Sequence, residues 1–118
     1  MLDASLERVL EAVPGVEAVA LVDGDGMVVS AVGARREAME LVAASYVDLA
    51  RRARGAHHEG DLAPPEEIML TGAGGSVVFR GVAGDYGLIA VLGPNGILGK
   101  LRFELRKAGA RIAPELEL

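Results

Sequence analysis

Apolar residues at Leu2, Leu6, Val9, Leu10 and Val13 recur at helical spacing, with Asp3 placed to cap the start and Pro14-Gly15 to stop the run. A helix this short is not stable alone and needs a surface to lie on. The pattern then changes period. Residues 16–22 (VEAVALV) and 27–32 (MVVSAV) are rich in Val and bracket Asp23-Gly24-Asp25-Gly26, which predicts two strands joined by a tight hairpin. Residues 35–54 return to helical spacing, and Gly55 is the expected stop. At about 100° per residue, Ala38, Leu41, Val42, Ser45 and Leu49 form one stripe. Met39, Ala43, Tyr46 and Ala50 widen it sideways, with Val47 at its edge, while Arg36, Glu37, Glu40, Asp48, Arg51 and Arg54 gather opposite. The apolar arc exceeds the ~100° stripe that one sheet contact requires, so its flank is expected to meet a second copy of the chain.

A polar loop containing His57-His58 is expected next, and Pro64-Pro65 stiffens the entry to a strand at 67–71 (EIMLT). Glycines 72, 74 and 75 turn that strand into another at 76–82 (SVVFRGV). A short reversal at 83–85 leads to a buried strand at 87–92 and a Gly-Pro-Asn-Gly turn. The last helix runs from about Asn95 or Ile97 to Ala113, with Leu98, Leu101, Leu105, Ala108 and Ile112 on its buried side and Pro114 as its end. Phe103 falls off that stripe, among Arg102, Arg106 and Lys107. Residues 115–118 read as a short acidic tail beyond a single domain, 1–114. The order α-β-β-α-β-β-β-α predicts an α+β fold, one antiparallel five-stranded sheet with helices on both faces, because that arrangement buries every stripe. The 67–71 strand is apolar on both sides (Ile68 and Leu70, then Met69), an unusual edge to leave open. Edge and wide helix together predict a two-fold dimer.

Composition narrows the chemistry. The 118 residues carry a net charge of −5, which supplies no basic field for a nucleic-acid partner. Aromatics make up 3% of the chain, so Val, Leu, Ile and Ala must build the core. Cysteine is absent, which excludes disulfides, thiolate catalysis and Cys-ligated zinc. The longest charge-free run, residues 86–99, is shorter than the ~18 apolar residues of a spanning helix and contains Pro94-Asn95-Gly96. Acidic residues, not basic ones, begin the chain, so no secretory signal is read and a cytoplasmic protein is expected.

Each candidate cofactor motif fails on spacing. The Asp23 run resembles a calcium loop, but the twelfth position from Asp23, where a Glu belongs, is Ala34. The adjacent His57 and His58 have no further His or Cys to complete a metal shell. Gly99-Lys100 looks like the end of a phosphate-binding loop, yet the first glycine of that motif falls on Pro94 and its hydroxyl on Leu101. No serine has a nucleophile-elbow context. No cofactor, no metal and no enzymatic activity are expected.

Two stretches carry a resemblance: VEAVALVDGDGMVVSA in the first hairpin, and GLIAVLGPNGILGKLRFELRKA from Gly87 to Ala108. In that order the chain resembles the roadblock (dynein light chain) family over nearly its whole length. The resemblance implies a profilin-like fold and a dimer whose edge strands join into one ten-stranded sheet. It places Ile68, Met69 and Leu70 on the joining strand, and Met39, Ala43, Tyr46, Val47 and Ala50 near paired second helices. Bacterial members of the Mgl type imply a Ras-like small GTPase as partner, whose hydrolysis is accelerated by ordering its own switch loops. Arg36, Glu40, Arg51 and Arg54 are then the expected partner contacts. The alternative within the resemblance is a non-catalytic adaptor of a motor, polarity or signalling complex. Some of the GTPase regulators carry a further C-terminal segment, and a role that depends on one is not expected here.

Overall fold

Valine-rich segments cut by Asp-Gly and Gly-rich turns fold as antiparallel strands, and the helical segments cover the two faces that result. The computed structural model describes residues 2–116. Its elements are α1 (Leu2–Ala12), β1 (Val16–Val22), β2 (Val28–Val32), α2 (Arg36–Glu59), β3 (Glu67–Gly72), β4 (Gly75–Gly81), β5 (Gly87–Leu92) and α3 (Leu98–Leu116). The five strands form one sheet in the order β2-β1-β5-β4-β3, every neighbouring pair antiparallel. The last strand therefore lies at the centre, and β3 is an edge.

Strand alternation assigns the two cores. On one face, Val19 and Leu21 of β1 and Leu88, Ala90 and Leu92 of β5 meet Leu6 and Val9 of α1 and Leu101, Leu105 and Ile112 of α3. On the other, Ala18, Ala20 and Val22 of β1, Ile89 of β5 and Phe79 of β4 meet α2 alone.

The first hairpin closes as its residues require. The Asp23 carboxylate accepts the backbone N–H of Asp25 at 2.9 Å and of Met27 at 3.0 Å, so it caps the turn. Gly26 has φ +82°, and a Cβ there would lie 2.4 Å from the Ala44 Cα, because α2 rests directly on the turn.

Two helix ends differ from the sequence expectation. The second helix does not stop at Gly55 but continues to Glu59, taking His57 and His58 out of the expected loop. Gly55 faces open space, and a lone helical glycine costs about 1 kcal/mol against Ala, too little to end a helix. The true stop is a Schellman arrangement. Leu62 N–H bonds the His57 carbonyl at 2.7 Å and Asp61 N–H the His58 carbonyl at 3.2 Å, with Asp61 at φ +58°. The last helix likewise passes through Pro114 to Leu116. Leu116 packs against the α1/α3 core, which offsets the one hydrogen bond that Pro114 cannot donate. Glu115 and Leu116 thus belong to the helix rather than to the expected tail, and residues 117–118 lie outside the described residues. No helix among the described residues is long and apolar enough to cross a membrane.

Candidate functional site

The apolar arc of α2 divides into a buried half and an exposed half, and the division departs from the sequence expectation. Met39, Ala43, Val47 and Ala50 are the residues buried against the sheet. They form the chain's own core and are closed to a partner. The stripe read from the spacing is split: Leu41 is 83% exposed and Leu49 37%, and Ser45 is exposed, whereas Ala38 and Val42 pack partly against the core. The reason lies beneath the helix. Ala18 and Ala20 offer a shallow floor, so α2 approaches closely with its Met, Ala and Val side chains fitted into it.

Tyr46 is intermediate. With Ala38 and Val42 it lines one wall of a groove of about 330 Å³, whose other wall is Leu70, Val77 and Val91. Burial raises the pKa of the Tyr46 phenol above its ordinary value. Leu70 is 51% exposed on this face, and Ile68 packs partly against the α2 core. Met69, 39% exposed, points to the opposite face. Among the described residues strand β3 pairs only with β4, so alternate backbone groups along Ile68, Met69 and Leu70 face outward. Leu41 and Leu49 on the outer side of α2, the groove and the open edge at Leu70 are thus apolar features on one side of the sheet, with Glu17 and Arg35 at the groove's rim.

The four charged candidates lie along the other flank of α2, at two ends separated by a rise of roughly 22 Å. Near the start, the Arg36 guanidinium donates to the Gly33 carbonyl at 3.3 Å, and Glu40 is exposed. Near the end, Arg51 donates to the Gly24 carbonyl at 2.8 Å, which ties the helix to the first hairpin. It borders a 440 Å³ cleft shared with Asp23, Asp25, Asp85 and Tyr86. Arg54 follows one turn later, beside Phe79 and Gly81. Arg51 and Arg54 are thus brought together and Arg36 with Glu40, but the two pairs stay apart. The His57 Nδ1 hydrogen-bonds with the Ala63 carbonyl oxygen at 2.8 Å and His58 is exposed, so the two rings do not converge on one point.

Sequence reading missed Glu67. Its carboxylate, 10% exposed, accepts Arg102 Nε at 3.1 Å and Nη2 at 3.2 Å, and Arg80 Nη1 at 3.3 Å. These bonds join β3, β4 and α3 at the root of the edge strand. Hydrogen bonding to Glu67, then its charge, raises the Arg102 pKa, with desolvation acting in the opposite direction. The signal in the sequence was Arg80, a charge inside an otherwise apolar strand and directly opposite Glu67 in the β3–β4 register. Glu67→Gln should leave the fold intact but lower hydrogen-exchange protection of the 67–72 amides by about tenfold, read by exchange mass spectrometry.

The Roadblock/LC7 domain family profile matches residues 2–93. Among solved structures, a Roadblock/LC7 domain from Streptomyces avermitilis superposes with a TM-score of 0.90 at 19% identity, covering 98% of each chain. Myxococcus xanthus MglB superposes with a TM-score of 0.88 at 19% identity over 98% of this chain and 94% of its own. The gliding protein MglB from Thermus thermophilus gives 0.85 at 21% identity, over 97% and 89%. No curated protein matches by sequence.

Proposed function

The chain belongs to the roadblock/LC7 family, its domain matched over residues 2–93, and from that premise we propose a non-enzymatic, cytoplasmic homodimer that binds a Ras-like small GTPase and modulates its GTP hydrolysis. The observation that carries the proposal is the groove between α2 and the open edge, with Leu70 exposed on that edge and Leu41 and Leu49 exposed on the outer side of α2. A second copy related by a two-fold axis offers the same surface back. Edge can pair with edge into a ten-stranded sheet, and stripe can pack against stripe.

Pairing through that stripe leaves the opposite flank of each α2 free, with Arg36, Glu40, Arg51 and Arg54 available to a GTPase. Arg36 and Arg51 are already held by backbone carbonyls, so they suit a preformed contact surface more than a side chain that reaches into a partner's active site. The mode this favours is modulation through the GTPase's own switch loops.

The test is single-turnover GTP hydrolysis by a cognate Ras-like GTPase, with and without the purified protein. Acceleration is expected, with tighter binding to the GTP form than to the GDP form and weaker binding by Arg51→Glu. Binding indifferent to the nucleotide, with an unchanged rate, would instead identify an adaptor.

A further inference from the structure

The outward face of α3 has chemistry that neither the core nor the α2 surface uses. Phe103 is 51% exposed there, and Lys107 Nζ stands 4.8 Å from the centre of its ring. Lys100, Arg106 and Lys107 sit three before, three after and four after Phe103, so all three neighbour the ring on one helix face. Lys100 and Arg106 are exposed and have no hydrogen-bond or ion-pair partner among the described residues. The acid within this group, Glu104, is engaged by Lys107 at 3.2 Å and is mostly covered. A chain of net charge −5 thus concentrates positive charge around one exposed aromatic ring.

We propose that this face is a docking site for an acidic segment of a partner protein, with an apolar side chain of that segment seated on the Phe103 ring and its carboxylates on Lys100, Arg106 and Lys107. Charge complementarity selects the sign of the occupant, and the exposed ring supplies the apolar anchor that buried contacts need. The neighbouring helix selects its shape. α1 shares the same outer layer and exposes Asp3, Glu7 and Glu11 against one cation, Arg8. A planar anionic membrane resting on α3 would also meet those carboxylates, whereas a narrow peptide touches α3 alone. The site lies across the sheet from α2, so it does not depend on the proposed GTPase reading and can be filled at the same time.

The experiment is selection of random dodecapeptides displayed on phage against the full-length protein, with counter-selection on the Phe103→Ala/Arg106→Glu variant. Both positions are exposed, and an unchanged urea midpoint would show that the variant folds. Enriched peptides should be net negative with one large apolar residue. Their synthetic forms should shift the amide NMR signals of residues 99–110, bind at least tenfold more weakly to the variant, and weaken further from ~50 to ~300 mM salt. Overturning results are failure to enrich any peptide, enriched peptides that are neutral or basic, or amide shifts centred on α2. Co-sedimentation with phosphatidylserine vesicles that needs Phe103 and Arg106, or self-association abolished by Arg106→Glu, would assign the face to a membrane or to a second copy and overturn the proposal as well.

Discussion

Met39→Ala should lower the unfolding free energy by about 3 kcal/mol, while Leu41→Ala, two positions away, should change the stability of the isolated protomer by less than about 0.5 kcal/mol. Met39 is fully buried over the sheet among Ala18, Ala20 and Ile89. Truncating it removes its transfer free energy and leaves a cavity that the rigid floor of β1 cannot close. Leu41 is 83% exposed and has little to lose. Urea denaturation of both variants, in a background that prevents dimerisation, measures the contrast. Equal losses would mean that α2 is seated on its other flank.

The second large effect concerns assembly. Leu49→Asp combined with Leu70→Asp should convert a species of twice the 12.2 kDa chain mass into one of the chain mass in sedimentation equilibrium. Leu49 lies on the outer stripe of α2 and Leu70 on the open edge, so both carboxylates would enter the proposed interface. An unpaired charge buried at an interface costs at least ~3 kcal/mol, about a hundredfold in affinity. Two-fold symmetry presents each substitution twice, which compounds the loss. Lys100→Glu, on the far side of the sheet, should leave the mass unchanged. A wild-type chain that sediments as a monomer at every concentration would remove the dimer and the reading built on it.

The elements most legible in the sequence are those whose signals are local. Strands β1 and β5 have the bounds expected, because Val-rich runs end at Asp-Gly and Gly-Pro turns with fixed backbone demands. The α3 stripe of Leu101, Leu105, Ala108 and Ile112 is buried as its spacing required. The expectation fails where a long-range contact competes with a local one. Gly55 and Pro114 are ordinary stop signals, yet a Schellman cap further along outranks the first and the packing of Leu116 the second. Glu67 escaped notice because its partners Arg80 and Arg102 are 13 and 35 residues distant, and nothing near it in sequence marks it as paired.

Sequence alone determined the order of elements, the hairpins and the existence of an apolar surface too wide for one sheet contact, since each follows from period, turn chemistry and the area of the arc. Tertiary structure decided which half of that arc is buried. Helical spacing measures how far an apolar arc extends but not which way it points. The direction is set by the small Ala18 and Ala20 side chains of a strand about twenty residues earlier, which admit the Met39–Ala50 flank and leave Leu41 and Leu49 to the outside.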